Sequence, residues 1–82
     1  MFTMYTKDDC IYCDKAEKLL QTNFEEYEII DYRSDPESLK LFKRNRWSTV
    51  PQIIKGNLHI GGYEELKLYF QKGYYKSKLG VE

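Results

Sequence analysis

The chain predicts an α/β fold in which a mixed four-stranded sheet is flanked by three helices in the order β-α-β-α-β-β-α. Three observations carry that expectation. Apolar residues recur at helical spacing in three stretches that alternate with short β-type runs. The first strand, helix and second strand read as a right-handed parallel crossover. The last two strands are joined by Gly56-Asn57, a two-residue connection suited to a tight antiparallel hairpin with a left-handed central residue.

Each element has its own signal. Phe2 to Thr6 is an apolar first strand, followed by the polar loop Lys7-Asp8-Asp9. A helix is expected from about Cys10 to Asn23, with Tyr12, Ala16, Leu19 and Leu20 forming one apolar face and Lys15, Glu17 and Lys18 lying elsewhere. Tyr27 to Asp31 supplies the second strand, paired with the first or one place removed. Two start signals then compete: a capping box from Ser34 to Glu37, and an Asp35 cap with Pro36 at the first helical position. Either way, the second helix runs to about Asn45 with Leu39 and Phe42 buried, and Arg46-Trp47-Ser48-Thr49 is a loop. Strands follow at Gln52 to Lys55 and Leu58 to Ile60. The last helix covers Tyr63 to about Lys72, with Leu66, Tyr69 and Phe70 inward and Gly73 as its stop. Residues 1–73 therefore read as one domain and residues 74–82 as a polar tail that frays.

Eighty-two residues lie near the lower limit for a single hydrophobic core without staples. Thirteen basic and thirteen acidic residues are interspersed, which removes the basic stripe expected of a nucleic-acid binder. No run is long enough to span a bilayer, and the N-terminus lacks the features of a secretory signal, so the expected location is the cytosol. There a disulfide is usually transient and catalytic.

The chain has two cysteines, in Cys10-Ile11-Tyr12-Cys13. Two thiols three positions apart at a helix start can form a disulfide, with the first pointing outward and the second inside the first turn. A bridge closing so short a loop would constrain the unfolded chain little, so chemistry suits the pair better than stapling. Unpaired N–H groups and the helix dipole favour the thiolate, in a range of roughly 3.5 to 7.5 for such cysteines. A zinc site would want four ligands, and the chain offers one histidine and no second cysteine pair.

Cys10-Ile11-Tyr12-Cys13, then Thr49-Val50-Pro51-Gln52-Ile53, then His59-Ile60-Gly61-Gly62-Tyr63-Glu64-Glu65-Leu66, in that order and spacing, closely resemble the glutaredoxin family, including its short bacteriophage members. The resemblance covers Met1 to about Lys72 and implies a thioredoxin-like fold. It implies a glutathione-dependent thiol–disulfide oxidoreductase in which Cys10 attacks, Cys13 resolves and glutathione is co-substrate, with no tightly bound cofactor and no metal. It also implies glutathione contacts from Lys7, Tyr12, Thr49, Val50, Pro51, Gly62, Tyr63 and Glu64, with a cis Val50-Pro51 bond exposing the Val50 backbone. The expected partners are glutathione and protein disulfides such as that of ribonucleotide reductase, with no nucleic acid and no membrane, and the chain is expected to be a monomer.

Several residues carry a second reading. Tyr12 could simply pack beside the sheet, Pro51 could be trans and open a strand, and the glycine pair with Glu64 and Glu65 could serve the helix start alone. Asp9 stands where the family usually has an apolar, glycine or proline residue. It either caps the first helix or opposes the thiolate. Ile11 replaces a frequent family proline, His59 is read as a surface residue without function, and Trp47 as a half-buried loop anchor. Two rival functions keep the fold: a hydrogen donor served by thioredoxin reductase, and a non-enzymatic binding module.

Overall fold

A computed structural model describes residues 1–72. The expected helix stop at Gly73 and the polar tail over residues 74–82 lie outside the described residues. The elements are β1 (Phe2–Thr6), α1 (Ile11–Thr22), β2 (Tyr27–Asp31), a 3-10 turn (Tyr32–Ser34), α2 (Pro36–Asn45), β3 (Gln52–Lys55), β4 (Leu58–Gly61) and α3 (Tyr63–Gln71). The sheet order is β2-β1-β3-β4. The β1–β2 pair is parallel, with Phe2 opposite Tyr27, while β1–β3 and β3–β4 are antiparallel. This is the mixed sheet expected from a crossover followed by a hairpin.

Alternation along β1 divides the packing. Phe2 and Met4 point to one face, where they meet Ala16 and Leu20 of α1, Ile53 of β3, and Leu66 and Tyr69 of α3. Tyr5 points to the other face, against Phe42 of α2 and Trp47 of the following loop, with ring centroids 5.8 and 6.4 Å away. The first face holds the core. Burying each of its large apolar side chains contributes about 1.5–3 kcal/mol, which a domain this small needs. The second face is narrower: Tyr32 stacks on Phe42 at 4.1 Å, and Trp47 meets Phe42 edge-on at 5.2 Å.

The helices correct the sequence reading in detail. On α1 the buried positions are Cys13, Ala16 and Leu20, with Leu19 packed at the edge of the core. Tyr12, expected on that face, is 54% exposed because the stripe i, i+3, i+7 starts at Cys13. On α2 the competition between start signals resolves in favour of Asp35, whose Oδ2 accepts from the Ser38 N–H at 3.2 Å, with Pro36 in the first turn. The helix packs with Ser38 and Phe42 inward and leaves Leu39, expected to be buried, 45% exposed. Ser38 tolerates burial because its hydroxyl donates to the same carboxylate. The 3-10 turn at Tyr32–Ser34 has no counterpart in the sequence reading.

Gly56 and Phe24 are among the positions with left-handed backbone. Gly56, at φ 59, makes the β3–β4 hairpin as the glycine there predicts. Phe24, just past α1, adopts φ 57 and donates its N–H to the Gln21 carbonyl at 3.0 Å, while its ring is 94% exposed.

Candidate active site

The loop from β1 brings the chain into α1 through an Asp8-Asp9 turn, with Asp9 at φ 55. The next residue, Cys10, is the N-cap: its backbone is extended and its Sγ accepts from the Cys13 N–H at 3.1 Å. The capping role considered for Asp9 therefore belongs to Cys10, and both preceding aspartates stand exposed. The cap is the reactive atom itself. An N–H left over from the first helical turn, together with the helix dipole, is directed at the sulfur and favours its anionic form.

Cys10 and Cys13 are joined in a disulfide with their Cα atoms 5.2 Å apart. They differ in environment. Cys10 is half-buried, whereas Cys13 is 3% exposed and part of the inward stripe of α1. An attacking reagent can reach the first sulfur and not the second. The Cys10 sulfur lies 3.9 Å from the Val50 carbonyl oxygen, so the loop before β3 is laid against the dithiol. The Val50–Pro51 bond is cis, as the family resemblance implies.

Beside that contact runs a groove of about 250 Å³, lined by Tyr12 from α1, Thr49, Val50 and Pro51 from the loop, and Gly62, Tyr63, Glu64 and Glu65 from the start of α3. The rings of Tyr12 and Tyr63 both line it, tilted 39° to one another with centroids 6.0 Å apart. Lys15 Nζ lies 5.3 Å from the Tyr12 centroid and Lys67 Nζ 5.3 Å from the Tyr63 centroid. Glu64 pairs with Lys67 at 3.5 Å. The groove thus gathers seven of the eight expected contact residues. The exception is Lys7, half-buried on the loop before Cys10 and absent from the lining. A larger cleft of about 320 Å³, between β4 and α3, contains neither thiol, and volume does not locate the chemistry.

One glycine here is required by its backbone and by space. Gly61 sits at φ 123, and a Cβ on it would fall 2.8 Å from Glu65 Cγ. Glu65 occupies that corner because its Oε1 accepts from the Gly62 N–H at 2.8 Å. In the sequence reading Glu65 only complements a dipole. In the structure it closes the start of α3, and the Gly62-to-Glu65 spacing of a capping box was the signal available for it.

Sequence reasoning also passed over Gln52 and His59. Gln52 is buried, and its Nε2 donates to the Thr49 carbonyl at 3.1 Å and to Thr49 Oγ1 at 3.3 Å. Its Oε1 meets His59 Nε2 at 2.8 Å, and the His59 ring stacks on Trp47 at 4.7 Å. The histidine is anchored on both sides, although it is exposed. Nothing in its sequence neighbourhood marks a partner seven positions away across a hairpin.

Among the described residues no group of three or more His, Cys, Asp or Glu could hold a metal ion, and no helix is long and apolar enough to cross a membrane. The comparisons with known proteins point one way. The glutaredoxin family model matches residues 2–60. Glutaredoxin 1 of Rickettsia typhi is 35% identical over 66 residues, which cover 77% of this chain and 64% of that protein, so the match spans slightly under two thirds of that relative. Glutaredoxin 3 of Escherichia coli K12 is 38% identical over 66 residues, covering 77% of both chains. The solution structure of a glutaredoxin from Brucella melitensis superposes with a TM-score of 0.76 at 32% identity, over 93% of this chain and 84% of that one.

Proposed function

The chain belongs to the glutaredoxin family, and from that premise we propose that it is a glutathione-dependent thiol–disulfide oxidoreductase. The observation that carries the reading is the asymmetry of the dithiol: Cys10 is reachable and held at a helix start by the Cys13 N–H, while Cys13 is buried beneath it. In the reductive direction the Cys10 thiolate attacks one sulfur of a substrate disulfide. A mixed disulfide forms, and the other substrate sulfur leaves as a thiolate. Cys13 gives up its proton and attacks Cys10 Sγ, closing the bridge and releasing the reduced substrate. One glutathione thiolate then opens the bridge at Cys10, with Cys13 as leaving group. A second attacks the glutathionyl sulfur, which yields glutathione disulfide and regenerates the dithiol.

The groove supports glutathione as the tripeptide. Val50, half-buried beside the proline and lining the groove, offers backbone groups to an extended cysteinyl segment, as an added strand would, and Thr49 and Pro51 frame it. Tyr12 and Tyr63 supply flanking rings, and Gly62 with Glu64 supplies the polar end at α3. Lys7 would serve by charge from outside the groove lining. Glutathione is a co-substrate in this reading, and no tightly bound cofactor is assigned. Protein disulfides, with that of ribonucleotide reductase as one candidate, are the wider substrates, and the proposed setting is the cytoplasm.

One observation favours a second electron donor. Glu65 already fills the Gly62 N–H, and Asp8 and Asp9 stand just before Cys10, all unfavourable to an anionic tripeptide. The deciding measurement is turnover of a small glutathione mixed disulfide, coupled either to glutathione with its reductase or to thioredoxin reductase, in the parent and in Cys13→Ser. Glutathione-coupled turnover that survives in Cys13→Ser supports the proposal, and turnover with thioredoxin reductase alone would replace it by the second reading.

A further inference from the structure

We infer that His59 is a positioning residue for substrate recognition, acting through Gln52 on the Thr49-Val50 backbone; the inference rests on the glutathione reading of the groove. A chain of hydrogen bonds links the edge strand β4 to the groove. His59 Nε2 meets Gln52 Oε1 at 2.8 Å, and Gln52 Nε2 reaches the Thr49 carbonyl at 3.1 Å and the Thr49 hydroxyl at 3.3 Å.

The direction of the chain follows from donor and acceptor chemistry. A glutamine amide has one accepting and one donating end, and Thr49 presents a carbonyl, which only the NH2 end can satisfy. The Oε1 end must then face His59, whose ring donates Nε2–H to it. Without that donor the buried Oε1 is left without its partner, and the amide is held by the Thr49 contacts alone. Turned over, it would set its oxygen against the Thr49 carbonyl and leave a buried polar group unsatisfied.

The position of Thr49 matters because the next residue is Val50, whose carbonyl lies 3.9 Å from the Cys10 sulfur and whose backbone is the strand-like edge of the groove. Gln52 reaches back over Val50 and Pro51 to pin the turn from within. His59 fixes Gln52. The stack of His59 on Trp47 at 4.7 Å, with Trp47 packed against Phe42 and Tyr5, anchors the ring from the opposite side of the same loop. A residue that holds backbone for a ligand to pair with acts on binding and leaves sulfur chemistry alone.

Two substitutions separate the donor from the stack. His59→Phe keeps a ring for Trp47 and removes the N–H, and His59→Gln keeps an N–H donor and removes the ring. With a glutathione mixed disulfide as substrate, His59→Phe is expected to raise KM roughly three- to tenfold with kcat within about twofold, while His59→Gln stays near the parent. Alkylation of Cys10 by iodoacetamide, which needs no groove, should proceed at the parent rate in both. Amide NMR of the free protein reads the same point without activity: the Val50 N–H signal should shift in His59→Phe and remain in His59→Gln. The inference is overturned if KM follows the ring, if all three proteins share one KM, or if the Val50 signal is unmoved in His59→Phe. Should the parent fail to turn over glutathione substrates, the functional reading falls, and the Val50 signal still decides this one.

Discussion

Two helices begin at the same groove, and they begin differently. At α1 the cap is Cys10, and the N–H of Cys13 is directed at a sulfur that can carry charge. At α3 the cap is Gly62, and a carboxylate from within the helix, Glu65, takes the Gly62 N–H. Both starts carry the partial positive charge of aligned peptides. One directs it at the reactive atom, and the other neutralises it internally. Each start thus hands the groove a different group: a polarised sulfur at α1 and, at α3, a backbone whose Gly62 N–H is already taken by Glu65.

The largest way to break the comparison is at the first start. Cys10→Ser should lower turnover of a glutathione mixed disulfide by about a thousandfold or more, whereas Cys13→Ser should keep that reaction and lose reduction of protein disulfides; a steady-state assay with both substrates checks the pair.

Next comes the second start. Glu65→Ala frees the Gly62 N–H and removes a negative charge, so KM for glutathione substrates should fall about two- to fivefold. Stability should drop by about 1 kcal/mol, read by chemical denaturation, because a cap is lost. Glu65→Gln, which keeps an acceptor without charge, should fall between parent and Ala on both scales. An unchanged KM in Glu65→Ala would mean that the two starts do not share a ligand.

A smaller effect is expected at Asp9, exposed one residue before Cys10. Asp9→Asn should lower the pH at which Cys10 ionises, because a like charge near the thiolate is removed, and an ultraviolet thiolate titration of the reduced protein reads it directly. The smallest lies away from the groove. Burial, with added repulsion from Glu28 and Asp35, raises the Tyr5 phenol above the usual tyrosine value. With the folded value above the unfolded one, the contribution of Tyr5 to stability is complete below the ordinary tyrosine range. It is lost as pH rises through that range to the folded value. Tyr5→Phe should flatten that alkaline decline in a denaturation series.

The strands and the order of elements were legible because their signals are local: apolar runs in Phe2 to Thr6 and Tyr27 to Asp31, and a glycine in the hairpin. So was the dithiol, as a spacing within one helical turn. Helix phase was less so. Whether α2 begins from Ser34 or Asp35 depends on a balance between two caps, and the face it buries carries Ser38 where Leu39 was expected. Tyr12 was placed on the core face by its apolar ring, though Cys13 starts the stripe. The groove residues came from motif resemblance and are gathered by the fold with the exception of Lys7. Least legible were Gln52, His59 and Glu65, whose importance lies in hydrogen bonds formed only once a hairpin and a helix start have met.

The chain just past the end of α1 offers a lesson in the opposite direction from its start. At Phe24 the backbone takes a conformation that glycine accepts freely, yet the chain places there a bulky ring lying almost wholly in water. No packing compensates for it, so the site is a reserve of unused robustness: a glycine introduced there should make the protein sturdier while leaving the sulfur a full helix length away undisturbed.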